Sequence, residues 1–225
     1  MFRVLLVTTL CLTAGLARAA EPIKLFNGTD LSGWKFKGDK TKNKWRIGEA
    51  VLDSANPAKI VLSPIAQTPA MVNVQTGIDI YSEQKFGDCC IEIEIMVPKG
   101  SNSGIYVMGE YEVQILDSFG KAKVGPGDLG GIYATAAPRV NASKAPGEWQ
   151  TMVIDFEAPR FENGKKTHNA KFVKVVLNGQ VIHENVEVKG PTPACLTGKE
   201  SPTGPIMFQG DHGPVALRNI KVTPK

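Results

Sequence analysis

Apolar and polar residues alternate with a period of two through almost the whole chain, broken repeatedly by turn chemistry, and this restricts its folds more than any other feature. In "DCCIEIEIMVP", Ile91, Ile93 and Ile95 fall on one face, with Cys90, Glu92 and Glu94 on the other. "SGIYVMG" and "YEVQILD" follow, joined near Gly109, and "WQTMVIDFEA", "PIMFQG" and "VALRNIKVT" repeat the rhythm. In "AKFVKVVLNGQVIHENVEV" the Asn178-Gly179 pair separates two alternating runs, the strongest short hairpin signal a sequence can carry. "RIGEAVLDS" predicts a further hairpin around Gly48-Glu49. Helical spacing is almost absent. Strand side chains alternate between faces, so many such strands must bury their apolar faces against one another in two sheets. The predicted fold is all-β, a sandwich or jelly roll.

Two stretches break the rhythm. "KVGPGDLGGIYATAAPRVNASKAPG", within Lys121 to Gly147, and "GPTPACLTGKESPTGP", from Gly190 to Pro205, are rich in glycine, proline and small residues. Loops of this length inside a compact domain are functional or disordered, and both lead into strands that carry candidate polar residues. There is no internal repeat and no linker, so residues 21–225 read as one domain.

The first twenty residues, "MFRVLLVTTLCLTAGLARAA", have an early Arg3, an apolar centre and small residues at Ala17 and Ala19. That is the layout of a secretory signal peptide, cleaved near Ala19 or Ala20. Its apolar run is short and soon followed by Arg18 and Glu21, unlike a membrane span. The expectation is export to the periplasm or the extracellular space. The formal charge of +4 falls to +2 once Arg3 and Arg18 leave with that segment. With no cluster of basic residues, neither nucleic acid nor an anionic membrane is an expected partner. Beyond Cys11 the chain holds Cys89, Cys90 and Cys195. Neighbouring cysteines on a strand face opposite ways, so Cys89 and Cys90 do not pair with each other. Cys195 could bridge to one of them, or all three could be buried thiols.

One strand poses a question. In "GEYEVQILDSFG", Glu110, Glu112 and Gln114 share one parity, with Tyr111, Val113 and Ile115 on the other. That polar parity is either a solvated face or the floor of a site. Asp117 takes the opposite parity unless a bulge intervenes, which suits it to turning the chain or binding at a rim.

"LFNGTDLSGWK" (Leu25 to Lys35), "GSNSGIYVMGEYEVQILD", "PGEWQTMVIDFEAPRF", "VVLNGQVIHENVEVKGPT" and "GPIMFQGDHGPVALRNIKV" occur in that order. Together they resemble the 3-keto-disaccharide hydrolase family over nearly all of the chain after the leader. The resemblance implies a concanavalin A-like jelly roll of the lectin and glucanase type, matching the strand pattern, and action on sugars already oxidised at C3. A ketone at C3 acidifies the proton on C2. A base can remove that proton, the enolate can expel the group at C1, and water can add to the double bond. Such chemistry needs a base near C2, an acid for the glycosidic oxygen and a donor to the enolate oxygen.

On that basis Glu112 is the leading acid/base candidate, with Gln114 orienting a sugar hydroxyl. Glucanases of related fold place carboxylates at all three positions of such a strand. Gln114 stands at the third here, which disfavours an ordinary endo-glucanase mechanism. "QGDHG" supplies Gln209, Asp211 and His212. An imidazole between glycines can donate to an enolate oxygen or a leaving group, or ligate a metal; equally, Asp211 and His212 can simply shape a turn. Arg139 could reach over the cleft from the long loop, and Asn102 and Ser103 could line it or build a turn. His183, His168, Glu92 and Glu94 read as surface or packing residues. Trp34, Trp45 and Trp149 read as packing, and Arg218 as one half of an ion pair. Glu112, Asp117, Asp211 and His212 could ligate a divalent ion, although no compact ligand motif demands one.

The sequence therefore predicts an exported enzyme without an organic cofactor, cleaving 3-keto glycosides prepared by a separate sugar 3-oxidoreductase. The alternative is a sugar-binding module that uses the same face without turnover.

Overall fold

The computed structural model describes residues 20–63 and 68–225, so the predicted leader, apart from Ala20, lies outside the described residues. Within them the only helical element is a 3-10 turn at Lys40–Lys42, capped by the Asp39 carboxylate on the Thr41 amide. The first strands are β1 (Ile23–Lys24), β2 (Trp34–Phe36), β3 (Trp45–Leu52), β4 (Ile60–Ser63), β5 (Ala70–Asn73) and β6 (Ile80–Phe86). β7 (Cys89–Met96), β8 (Asn102–Val107) and β9 (Tyr111–Leu116) precede the first long loop. After it come β10 (Trp149–Glu157), β11 (Arg160–Glu162), β12 (Lys165–His168), β13 (Ala170–Leu177) and β14 (Gln180–Val188). The second long loop leads to β15 (Gly204–Phe208) and β16 (Val215–Pro224).

These strands form a jelly-roll sandwich. A nine-stranded sheet runs β14-β13-β10-β7-β16-β5-β3-β4, with β1 added to β16, and a five-stranded sheet runs β2-β6-β15-β8-β9. β11 and β12 form a separate small hairpin. The strand pairings are antiparallel. Ile91, Ile93 and Ile95 of the large sheet and Ile105, Val107, Val113 and Ile115 of the small one are buried in one core, each aliphatic side chain stabilising the fold by about 1.5–3 kcal/mol. Tyr111, Phe156 and Phe172 pack in a row, with ring centroids 5.6 and 5.2 Å apart. Trp34 and Trp45 are core residues, and Trp149 carries the Arg218 guanidinium 3.9 Å above its ring. Arg218 also donates to Glu94 at 2.7 Å.

One predicted hairpin is absent. β3 runs straight through Gly48-Glu49, its first half paired with β5 and its second with β4. Gly48 marks a close approach instead of a turn, because a Cβ there would lie 3.2 Å from the Leu62 side chain. The Asn178-Gly179 turn forms as its sequence requires, with φ of 50° and 81°. Cys89, Cys90 and Cys195 are free thiols, and burial pushes the Cys89 thiol up to about 12.

β9 is the last strand of its sheet, and both long loops dock against its free edge. The Gln114 amide donates to Gly131 O, Gly130 N donates to Gln114 O, and Tyr133 N donates to Glu112 O, at 2.8, 2.8 and 3.1 Å. From the second loop, Thr192 N donates to Glu110 O at 2.8 Å and the Thr192 hydroxyl accepts from Glu112 N at 3.0 Å. An open edge of paired apolar and polar residues would template aggregation; here the loops satisfy it. Buried His183 supports the first loop, its Nε2 lying 2.8 Å from Gly130 O. Desolvation holds that imidazole below its ordinary value, so the neutral ring donates.

Candidate active site

The polar parity of β9 is not a solvated face. Glu110, Glu112 and Gln114 are 4 %, 3 % and 4 % exposed, too dry for carboxylates without a role or a partner. They part company in what they do. Glu110 accepts from the Thr197 hydroxyl and from the amides of Thr197 and Gly198, at 2.6, 3.1 and 2.9 Å, and so anchors the second loop. Glu112 and Gln114 line a cleft of about 120 Å³ on the outer face of the five-stranded sheet.

Strand register builds the floor of this cleft. Tyr106 is opposite Glu112, and Gly104 is opposite Gln114. Met207 of β15 flanks Tyr106 on its other side, and Gln209 N donates to Gly104 O at 3.0 Å. The missing side chain of Gly104 gives the Glu112 carboxyl its place, since a Cβ there would lie 2.3 Å from Oε1. The loops supply the walls: Tyr133 from the first, Pro193 and Ala194 from the second, and His212 from the turn before β16. Asn102 closes the near end, with its Oδ1 buried and unpartnered.

Burial is the main cause that drives the Glu112 carboxyl up to about 7. Hydrogen bonding to the Tyr106 hydroxyl and the proximity of His212 act the other way, while Asp79 and Asp211 add to the rise. Burial, with the Glu112 charge, pushes the Tyr106 phenol far above its usual range, so it stays a neutral donor. Its oxygen lies 3.3 Å from Pro193 O. The single phenolic hydrogen can turn to Glu112 when that group is ionised, and to Pro193 O when Glu112 itself donates. Tyr106 is satisfied in both states, as a carboxyl that exchanges a proton requires.

Among the residues singled out in the sequence, Asn102, Glu112, Gln114, Gln209 and His212 share this cleft. Asp211 is exposed beside it and hydrogen-bonds the His212 Nδ1. Asp117 is used elsewhere: its carboxylate accepts from the Gly100 and Phe119 amides at 2.9 and 3.3 Å, which turns the chain. Arg139 is ion-paired with Glu184 on β14 and is not among the lining residues. Ser103 donates to Gln209 O at 2.7 Å beneath the floor. Among the described residues no three His, Cys, Asp or Glu side chains converge to hold a metal ion. Tyr106 and Tyr133 were not legible as site residues. Tyr106 carried a signal nonetheless, because "SGIYVMG" puts it on the same parity as Gly104 and opposite the acidic strand.

An all-β sandwich with a small polar cleft on one sheet, floored by a buried carboxyl, defines a jelly-roll protein of the carbohydrate-active type. The chain belongs to the family of the 3-keto-alpha-glucoside-1,2-lyase-like domain, which matches residues 21–223. No curated protein matches it. Among solved structures, a protein named a putative glycosyl hydrolase from Parabacteroides distasonis is similar at 28% identity and a TM-score of 0.69. That match covers 91% of this chain and 84% of the other. A second protein of that name from the same organism has a TM-score of 0.61 at 18% identity, over 91% and 94% of the two chains, and shares the fold.

Proposed function

We propose that this protein cleaves 3-keto glycosides, with Glu112 as the base that removes the proton from C2. The observation that carries this reading is a buried carboxyl held at about 7 in a polar cleft, poised to take up and release a proton near neutral pH. The C2 proton passes to Glu112, and the C2–H electron pair becomes the double bond of the enolate. Collapse of the enolate breaks the C1–O bond, and the leaving oxygen takes a proton, for which His212 at the cleft wall is the candidate donor. Water addition at C1 with proton return to C2 completes hydrolysis; release before that step gives a lyase. The amides of Gln114, Asn102 and Gln209 suit the ketone and the hydroxyls, because a sugar offers donors and acceptors around its whole ring. The ketone itself must come from a separate oxidoreductase, and the leader suits a protein exported to meet such sugars. The family's description and the glycosyl hydrolase names of similar structures support the substrate class.

The test is incubation of the purified protein with 3-keto-trehalose and with unoxidised trehalose, followed by mass spectrometry. Cleavage of the keto sugar alone is expected. Cleavage of both overturns the requirement for a ketone, and saturable binding without cleavage moves the protein to the sugar-binding class.

Two further outcomes follow from Glu112. An ionised base is needed for the first step, so kcat/KM for the keto sugar should rise with pH through a midpoint of about 7. A profile that falls through that midpoint would assign Glu112 the role of acid. Gly104→Ala should displace the carboxyl that now occupies the Cβ position. A misplacement of that size is expected to lower kcat by about 100-fold. Since a flexible side chain can yield, the thermal midpoint should stay within a few degrees of the parent.

A further inference from the structure

We infer that Lys37 and Asp79 are a positioning pair, in which one ion pair straps two of the walls of the cleft together and so fixes the space and the charge around Glu112. The inference deepens the proposed function, since it concerns the same cleft.

Asp79, 5 % exposed, directly precedes β6, and Lys37 directly follows β2. The Lys37 amide donates to Asp79 O at 3.0 Å, continuing the pairing of those strands. Beyond the strands the side chains take over. The Lys37 ammonium lies 3.1 Å from the Asp79 carboxylate and donates at 2.7 Å to Ala194 O on one wall. The other carboxylate oxygen accepts from Gly210 N at 2.9 Å, at the base of the turn that carries Asp211 and His212 on another wall. A single pair thus joins two walls of the cleft.

Each wall shows that it is held. Ala194 has a φ of 60°, a left-handed conformation that alanine rarely adopts. The turn is gripped again from below, where the Asn73 amide donates to Gly210 O and Gly213 O, both at 2.8 Å. Neither Lys37 nor Asp79 lines the cleft, so this half-buried ion pair acts on it through the backbone atoms that it holds. Around Glu112 the ionisable groups are Tyr106 from β8, Asp79, and Asp211 and His212 from the turn. Lys37 offsets the charge of Asp79. Removing the carboxylate should therefore make Glu112 easier to ionise, and removing the ammonium should make it harder. General loosening of the cleft would instead hydrate Glu112 in both variants and move it in one direction.

The experiment is a carbon-13 NMR titration of protein labelled at glutamate carboxyls, with the Glu112 resonance assigned by its loss in Glu112→Gln. The Glu112 midpoint is expected to fall in Asp79→Asn, rise in Lys37→Met and stay at the parent value in Lys37→Arg. With 3-keto-trehalose, well above these midpoints, Lys37→Met should raise KM by about tenfold, from loss of a charged hydrogen bond, while kcat changes little. Midpoints unmoved in both variants, or moved the same way, overturn the inference. Should Lys37→Met fail to fold, Lys37→Gln takes its place, because glutamine keeps a donor for Ala194 O while losing the charge, and the Glu112 midpoint should again rise. The titration needs no turnover. A cleft that titrates as expected but leaves every keto sugar intact therefore removes the proposed catalysis and keeps the pair.

Discussion

Glu112→Gln is expected to lower turnover of a 3-keto glycoside by about 10²–10⁴-fold, and at the same time to make the protein harder to unfold at alkaline pH. Both effects have one cause. The carboxyl is 3 % exposed, and its value is raised from an ordinary 4.5 to about 7. The native state therefore holds this proton more tightly than the unfolded chain does. The associated stability is fully present below pH 4.5 and is lost as pH rises through about 7. By the usual linkage arithmetic the full loss is about 3 kcal/mol. Glutamine has nearly the same shape, still meets Tyr106 and never ionises, so it escapes that loss. Urea unfolding at pH 5 and pH 8.5 measures it: the variant should match the parent at the lower pH and exceed it at the higher. A residue that is costly when charged and is kept nonetheless is the stability–activity conflict expected of a catalytic group. Equal stability of the two proteins at both pH values would mean that Glu112 is more hydrated than its burial indicates.

The second large effect is structural. In Gly210→Ala the new Cβ would lie 2.2 Å from Ile78 O, a backbone atom that cannot step aside. Ile78 O also accepts from Trp45 Nε1 at 2.8 Å, while Gly210 is tied on both sides, its amide to Asp79 and its carbonyl to Gly77 N at 2.7 Å. Overpacking against fixed backbone is expected to cost about 3 kcal/mol, or about 10 °C in thermal midpoint for a domain of this size. Because Asp211 and His212 follow directly, binding of the keto sugar should fall too. Gly190→Ala is the control: a Cβ there meets nothing within 4 Å, and the midpoint should not move. A Gly210→Ala protein that melts like its parent would mean that the turn shifts freely and that its glycine is not required by packing.

Strand order along the chain was largely legible, because period-two alternation is a local signal that both sheets obey. The failure at Gly48 shows its limit. A glycine letter marks a place where a side chain is unwanted, and only the neighbour, Leu62, says whether that is for a turn or for close approach. The site was legible in part for the same reason. Glu112 and Gln114 announced themselves by parity, but parity is blind to water. Whether their face was wet depended on loops arriving from residues 128–133 and 192–196, contacts that no spacing encodes. Glu110 has the same letter and the same parity as Glu112, yet it anchors a loop, because Thr197 and Gly198 reach it first. Lys37 and Asp79 are 42 residues apart and sit in unremarkable stretches; only the β2–β6 pairing makes them neighbours.

The sealing of β9 by loops has a consequence for how the Glu112 proton could exchange with solvent. Glu112 sits on the outermost strand, and its own amide is held by the hydroxyl of Thr192, not by another strand. Loop contacts belong to the low end of a protein's ladder of local opening energies. Were the segment around Thr192 to lift, water would reach Glu112 and return it to an ordinary carboxylate that surrenders its proton to solvent. With the segment settled, the group is the stronger base in the drier place that burial makes. Opening of one loop would thus be enough to exchange the Glu112 proton with solvent, with no second conformation of the sheet.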